Sequence, residues 1–166
     1  MVERAILAAK NTDVNEINFK IQNEIASEFK KCKSFDCTTN QDYVVNYPPE
    51  ILNSLDLPGL PPNNLQLEVG SMVKVLRNIN EICNGTRLAV KELKNNMIKA
   101  TFLKGKYKGE DVLIPRISMV PTDVPLMIKR LQFPVRLAFA MAMNKSQGQS
   151  FSVCGIDLEN SCLSHG

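Results

Sequence analysis

This 166-residue sequence contains no tryptophan and a single histidine, His165. A zinc centre is not expected, because Cys32 and Cys37 are followed by no histidine or second cysteine pair at zinc-site spacing. The five cysteines are odd in number, so at least one stays unpaired. We therefore interpret the cysteines as small buried or incidental residues and predict no metal site.

Long apolar runs are also missing. No stretch approaches the roughly 20 apolar residues that a membrane-spanning helix needs. The first residues lack the basic start and apolar stretch of a secretory signal. The sequence thus predicts an intracellular protein without a membrane partner.

Charge is present but unevenly distributed. Residues 1–69 carry 6 Lys/Arg and 10 Asp/Glu, a net charge of −4, whereas residues 70–166 carry 14 and 7, a net charge of +7. A basic half is typical of a protein with an anionic partner, and nucleic acid is the commonest such partner. The alternative is an ordinary solvated surface.

The first 25 residues have the pattern of a strand followed by a helix. Residues 5–9 form an apolar run that predicts a buried strand. Asp13 and Glu16 resemble a capping box at the start of a helix. Strand, turn and amphipathic helix indicate an α/β fold with a parallel sheet. The apolar residues at helical spacing, predicted to share one face of this helix, are Val14, Ile17, Ile21 and Ile25.

The middle of the chain changes character. Residues 30–47 show no clear period and are predicted to be a loop, and residues 48–50 are predicted to open a short helix. The Pro- and Gly-rich residues 58–64 form a candidate boundary. Four short strands with turn signals between them predict a small antiparallel barrel at about residues 70–120. These strands are predicted at 72–77, 87–93, 97–103 and 111–117, and one turn carries Lys104, Lys106 and Lys108.

The last part returns to the α/β pattern. Residues 135–143 predict a central strand and residues 151–158 another strand. The polar residues 144–149 between them are predicted at the carboxyl edge of the sheet, where α/β proteins bind ligands. Their lysine, serine and glutamine supply a cation, a hydroxyl and an amide. Composition alone favours the alternative, an ordinary polar turn.

Two strings of residues resemble a known family. Cys-Asn-Gly-Thr-Arg-Leu at 83–88 and Asn-Lys-Ser-Gln-Gly-Gln at 144–149 follow the order found in the petite-integration-frequency (Pif1-like) family. Its members are superfamily-one 5′-to-3′ DNA helicases and include the helicase half of Helitron transposons. The apolar residues 133–141 precede the second string, as in the family's fifth helicase motif. The resemblance extends over almost the whole chain.

The resemblance implies a fold and a mechanism. Residues 1–69 and 121–166 would form an incomplete second RecA-like motor domain, with a Src-homology-three-like barrel inserted at 70–120. In the family, two RecA-like domains clamp ATP and Mg²⁺ between them, and hydrolysis moves them along single-stranded DNA. The implied partners are therefore single-stranded DNA and the first RecA-like domain of the same polypeptide. A nuclear or otherwise intracellular location follows from the family.

The resemblance also implies contacts with DNA. Asn144, Lys145 and Ser146 would bind the strand or sense the nucleotide. Arg77 and Arg87 would be either phosphate contacts or plain surface charges of the barrel, and the sequence leaves both readings open.

A second group of residues is implied for the nucleotide cleft. Gln147 and Gly148 would lie toward it, and Arg4 and Asn11 would border the nucleotide or nucleic-acid side. Family members often have Thr-Ile where this chain has residues 142–143, Ala-Met. The difference removes a hydroxyl, and with it one expected DNA contact.

The nucleotide site is not complete in this sequence. It contains no Gly-x-x-x-x-Gly-Lys-Ser/Thr phosphate loop, and neither the acidic Mg²⁺ pair nor the family's transition-state arginine is recognised. We expect these in the longer parent helicase, so this chain is expected to be inert toward ATP on its own. The alternatives are a non-enzymatic module that binds single-stranded nucleic acid and an inactive transposon remnant. The sequence leaves open whether the parent is a host or a transposon protein.

Overall fold

The computed structural model describes residues 4–25, 29–38, 57, 59–121, 128–146 and 153–157. The chain divides into two compact units, one from Met1–Ser27 with Leu137–Gly166 and the other from Glu28–Arg136. The described part is rich in strands and has few helices. Its elements in chain order are β1 (Arg4–Ala8), α1 (Asn11–Glu24), β2 (Lys30–Lys33), β3 (Phe35–Thr38), β4 (Asn64–Leu67), β5 (Met72–Val75), β6 (Arg87–Leu93), β7 (Met97–Phe102), β8 (Asp111–Pro115), β9 (Ile117–Met119), β10 (Ile128–Gln132), β11 (Val135–Leu137), β12 (Ala140–Ala142), α2 (Met143–Ser146) and β13 (Val153–Ile156).

The first unit contains a parallel sheet with the strand order β12-β1-β13. Ile6 in the central strand lies opposite Ala140 on one side and Gly155 on the other. The predicted parallel sheet and the strand at 5–9 are confirmed, as is the strand at 151–158 over residues 153–156. Of the helices in the described ranges, none has the length and apolar character needed to cross a membrane.

Helix α1 packs through polar residues, which the sequence did not predict. The Asn18 side chain donates to the Ala140 carbonyl (3.3 Å) and accepts from the Ala140 N–H (2.8 Å). These backbone groups point away from β1, so Asn18 satisfies one edge of the sheet. Asn18 is buried, whereas Val14 and Ile17 of the predicted apolar face are only half-buried. All four apolar residues are half-buried, and the fully buried positions of α1 are the polar residues Asp13, Asn18 and Gln22.

The start of α1 also differs from the prediction. Lys10 is the N-cap residue and makes no side-chain capping hydrogen bond. Asp13 consequently lies in the first turn, where its carboxylate accepts from the Thr12 hydroxyl at 3.1 Å. The predicted capping box with Glu16 is wrong, because the helix begins earlier than that box requires. A carboxylate in the first turn still interacts favourably with the helix dipole.

The second unit is built around a five-stranded antiparallel sheet with the order β11-β5-β6-β7-β8. The strands predicted at 72–77, 87–93 and 97–103 are confirmed, with small differences at their ends. The strand predicted at 111–117 is divided at Arg116 into β8 and β9. The two parts pair with different strands, β8 with β7 and β9 with β10. At the break, the Arg116 side chain donates to the Asn95 carbonyl (3.1 Å) and the Lys33 carbonyl (2.8 Å).

Two smaller sheets complete this unit: the pair β2-β4 and the three-stranded sheet β3-β10-β9. The predicted loop at 30–47 is therefore wrong over residues 30–38, which form strands β2 and β3. Residues 39–47 and the helix predicted at 48–50 lie outside the described residues. The compact unit is larger than 70–120, because β2, β3, β4 and β10 add paired strands on either side of that range.

The predicted single strand at 135–143 is two strands that belong to different sheets. β11 joins the five-stranded sheet, whereas β12 joins the parallel sheet. The chain passes from one unit to the other at residues 136–137. A continuous apolar run indicates burial only, so it could not show that its first part belongs to one unit and its second part to the other.

A buried ion pair fixes the three-stranded sheet. Arg130 in β10 lies opposite Asp36 in β3, and their side chains are 0% and 1% exposed. The Arg130 guanidinium donates from Nε and Nη2 to the Asp36 carboxylate at 2.7–3.0 Å, and from Nη1 to the Pro61 carbonyl at 2.9 Å. One side chain thus connects β10, β3 and the segment that precedes β4.

We predict that Asp36→Ala lowers the free energy of unfolding by about 3–5 kcal/mol, because it leaves the Arg130 charge buried without its carboxylate. Urea denaturation followed by circular dichroism measures the loss. Lys129→Ala, an exposed neighbour on the same strand, is the control and should change stability by less than about 0.5 kcal/mol. Equal effects of the two substitutions would contradict this role for the pair.

Candidate nucleic-acid interface

The polar residues 144–146 follow strand β12 directly. β1 and β12 are parallel, with Ala8 opposite Ala142, so both strands end at the same edge of the sheet. Asn11 begins α1 just after β1, and Asn144 lies in α2 just after β12. Both asparagines are exposed. The predicted position of this polar segment, at the carboxyl end of a strand, is confirmed.

The remaining residues of this segment are described in part. The backbone of Lys145 and Ser146 continues through α2, at the same edge as Asn11. Gln147 and Gly148 lie outside the described residues. We call the set of Asn11 and residues 144–146 the sheet-edge cluster.

Arg4 does not join this cluster. It is the first residue of β1 and lies opposite Val153 at the amino end of the strand. Four residue steps separate it from Ala8, which is roughly 13 Å along the strand. The backbone therefore puts Arg4 and Asn11 at opposite edges of the sheet.

Arg77 belongs to the second unit and is half-buried. Its guanidinium Nη2 donates to the Val120 carbonyl at 3.0 Å. This bond ties the second residue after β5 to the residue that follows β9. In this conformation Arg77 has a structural contact, which reduces what it can offer to a phosphate.

Arg87 is 5% exposed, although the sequence suggested either a phosphate contact or a surface charge. It lies in β6 opposite Lys74, and its Nη2 is 3.5 Å from the Met72 sulfur. Burial lowers the pKa of its guanidinium. Because so little of the side chain meets solvent, Arg87 offers almost no surface to a phosphate.

The basic turn between β7 and β8 is exposed, as its composition suggests. Lys104, Lys106 and Lys108 all face solvent, and partial desolvation lowers the pKa of Lys104. The Lys106 ammonium lies 5.6 Å from the centroid of the Tyr107 ring, which in turn is 5.6 Å from the Phe102 ring. The turn therefore combines cations with an aromatic ring.

A carboxylate neutralises part of the neighbouring surface. Asp111 accepts hydrogen bonds from Lys91 Nζ (2.8 Å) and Thr101 Oγ1 (2.7 Å), and Lys99 Nζ lies 3.3 Å away. The Lys91 hydrogen bond is the largest cause that lowers the pKa of Asp111 from 3.8 to about 2. Two lysines of the five-stranded sheet are thus paired internally.

Within the described residues, no three His, Cys, Asp or Glu side chains come together as a metal-binding group. Cys32 is buried, and burial raises the pKa of its thiol. Cys37, Cys83 and Cys154 are exposed and carry free thiols. The site chemistry of the described residues is therefore that of cations, amides and aromatic rings.

One exposed row of residues was overlooked in the sequence. Phe29, Lys31, Lys33 and Phe35 occupy alternate positions of one extended segment, and all four are exposed. Their period of two was the available signal. This alternation was not recognised because the buried residues between them include the polar Ser34 and Asp36, so apolar and polar residues do not alternate.

The fold is similar to part of the fold of solved Pif1 helicases. A Candida albicans Pif1 helicase has 21% identity and a TM-score of 0.71, covering 96% of this chain and 40% of its own. A Bacteroides Pif1 bound to ssDNA has 22% identity and a TM-score of 0.69. The match covers 92% of this chain and 34% of the Bacteroides chain. A structure of two coordinating Pif1 helicases on forked dsDNA has 22% sequence identity and a TM-score of 0.70. The match covers 96% of this chain and 33% of the helicase chain. The chain thus spans about a third to two fifths of the length of these helicases.

The sequence comparison agrees with the fold. Residues 50–93 match the family described as the 2B domain of the DNA helicase Pif1. The comparisons therefore confirm the predicted resemblance to the Pif1-like helicase family. The search of curated proteins gave no match.

Asp111 provides a test of the charge arrangement in the second unit. Its depressed pKa means that the hydrogen-bonded carboxylate favours the folded state above about pH 4, and that this contribution is lost as the pH falls toward 2. In an NMR titration of the side-chain carboxyl, we expect a midpoint near 2. Lys91→Ala should raise it toward 3.8, because the largest cause of the shift is removed.

Lys94→Ala is the matched control, because Lys94 pairs with Glu92 at 3.3 Å instead. It should leave the Asp111 midpoint unchanged. A wild-type midpoint close to 3.8, or equal shifts in the two variants, would contradict the arrangement.

Proposed function

We propose that this chain is part of an ATP-dependent 5′-to-3′ DNA helicase and contributes contacts with single-stranded DNA and part of the ATP cleft. The observation that carries the proposal is the sheet-edge cluster. It combines amides, a lysine and a serine at the carboxyl ends of β1 and β12, where α/β folds bind their ligands. The likeness to Pif1 helicases, including one solved with ssDNA, supports the choice of ligand.

The residues of the cluster suit a phosphate backbone. Lys145 supplies a compact positive charge, and Asn144 and Ser146 supply hydrogen-bond donors. Contacts with phosphates carry no sequence information, so binding through them would be independent of sequence. Gln147 and Gly148 would extend the cluster toward the nucleotide.

Hydrolysis of ATP would need the rest of the parent protein. The 166 residues contain no phosphate loop. A Bacteroides Pif1 has been solved with ADP-AlF3 and ssDNA, which supports a nucleotide site in a longer helicase. We propose that a first RecA-like domain supplies the phosphate loop and the Mg²⁺ ligands, and that this chain alone has no ATPase activity.

A non-enzymatic module for single-stranded nucleic acid is the second candidate. It is favoured by the exposed turn with Lys104, Lys106 and Lys108, which belongs to the second unit and needs no nucleotide site. The helicase proposal gives a role to both units, whereas the non-enzymatic module gives a role only to the second unit.

We predict that Lys145→Ala raises the Kd for a labelled oligothymidine about tenfold, since charge-assisted hydrogen bonds are worth about 1.5–3 kcal/mol. It should also reduce the slope of log K against log salt by about 0.7, the loss of one phosphate contact. Fluorescence anisotropy across a salt series measures both quantities.

The control is Lys20→Ala, which removes an exposed lysine of α1. Lys20 lies nine residues along the helix from Asn11, roughly 13 Å away. Its variant should bind as the unchanged chain does. If Lys145→Ala also binds unchanged, the sheet-edge cluster is not the DNA contact. Loss with Lys104→Ala/Lys106→Ala/Lys108→Ala alone would favour the non-enzymatic module.

A further inference from the structure

The extended segment 29–37 separates its residues onto two faces. Cys32 and Ser34 are buried, and the Asp36 side chain is 1% exposed. The alternate residues point outward, and two of them are phenylalanines: Phe29 is 40% exposed and Phe35 is 70% exposed. Lys31 and Lys33 lie between the two rings and are exposed as well. We call Phe29, Lys31, Lys33 and Phe35 the Phe–Lys strip.

Neighbouring strands extend this outward face without adding negative charge. Residues directly opposite one another in a sheet share a face. Lys31 and Lys33 lie opposite Gln66 and Asn64 of β4. In the other sheet, Phe35 lies opposite Leu131, and Cys37 lies opposite Lys129. None of these outward residues is acidic, so the described part of the face is cationic.

The backbone beneath the strip is held from the inner side. The Gln132 side chain donates to the Cys32 carbonyl (2.7 Å), and Arg116 donates to the Lys33 carbonyl (2.8 Å). The Ser34 N–H donates to the Asn63 carbonyl at 2.8 Å. These bonds fix the row of side chains before any ligand arrives, so little backbone ordering would oppose binding.

Aromatic rings alternating with cations have a particular use. A ring exposed to solvent stacks on a nucleobase, and an adjacent lysine pairs with a phosphate. The bases of a single strand offer their faces, whereas those of a duplex are stacked within it. The strip runs at most about 20 Å, six residue steps, so it is long enough to contact several nucleotides of one strand.

We propose that the Phe–Lys strip is a contact surface for single-stranded DNA, separate from the sheet-edge cluster and carried by the second unit. Phe29 and Phe35 stack on bases, and Lys31 and Lys33 bind phosphates between them. The choice of ligand rests on the proposed function, but the strip and the cluster belong to different units and are tested by different variants.

The direct test uses the absence of tryptophan from this chain. In the 166-residue protein, Phe35→Trp introduces one fluorescent reporter, and Phe29→Trp introduces a second one in a separate variant. We expect oligothymidine to quench and saturate both signals, because the indole stacks on a base. Phe19→Trp is the control, since Phe19 is a 57% exposed phenylalanine of α1 in the other unit, and its signal should stay unchanged. Absence of quenching at residues 29 and 35 would overturn the proposal.

Affinity measurements test the contribution of each residue type. Phe35→Ala should raise the Kd for oligothymidine at least fivefold, the lower range for one stacked base, whereas Phe19→Ala should not. The double variant Lys31→Ala/Lys33→Ala should reduce the slope of log K against log salt by about 1.4, because two phosphate contacts are lost. The control double variant Lys20→Ala/Lys94→Ala should leave this slope unchanged. Circular dichroism of each variant verifies that it is folded.

The outcomes separate the two surfaces. Loss of affinity with Lys145→Ala but not with the strip variants would overturn this inference and leave the proposed function standing. Loss with the strip variants alone would support the inference and contradict the role proposed for the sheet-edge cluster. Preference for an acidic, apolar peptide over oligothymidine at the reporters would also overturn the proposal.

Discussion

The ion pair between Arg130 and Asp36 is the contact on which the smaller sheets of the second unit depend. A charge without solvent contact is stable only when its partners are fixed, and here they are the Asp36 carboxylate and the Pro61 carbonyl. The pair sets β3 beside β10. Because β2 continues directly into β3, the same constraint determines which residues of segment 29–37 face inward. The outward Phe–Lys strip is therefore a consequence of a buried polar interaction.

The elements predicted well are those whose burial is apolar and whose turns are distinctive. β1, the strands from 72 to 103 and the position of residues 144–146 all follow from apolar runs and the polar residues between them. The strands in segment 30–38 were not predicted, because its inward side chains include the polar Ser34 and Asp36, a pattern typical of a loop. No rule of periodicity anticipates that a buried strand residue is an arginine whose partner lies 94 positions away.

The sequence predicted the position of candidate residues that directly follow a strand. It did not predict the positions that depend on strand length or on strand pairing. Residues 144–146 follow their strand directly, so the parallel sheet alone puts them at the same edge as Asn11. Arg4 is close to Asn11 in sequence, yet the length of β1 separates them. Arg87 carries a charge typical of a surface, but its position in β6 buries it. The division of charge between the two halves also concealed Lys31 and Lys33, which stand in the acidic half of the sequence.

Single-stranded DNA is the ligand proposed for the sheet edge at the ends of β1 and β12. The most direct measurement is a titration of the ¹⁵N-labelled chain with oligothymidine, followed by amide chemical shifts. We expect saturable shifts at Asn11 and at residues 144–146, with the amides of Lys20 and its neighbours in α1 unchanged. A folded chain whose shifts at the sheet edge stay constant at saturating oligothymidine would contradict the proposed DNA contact.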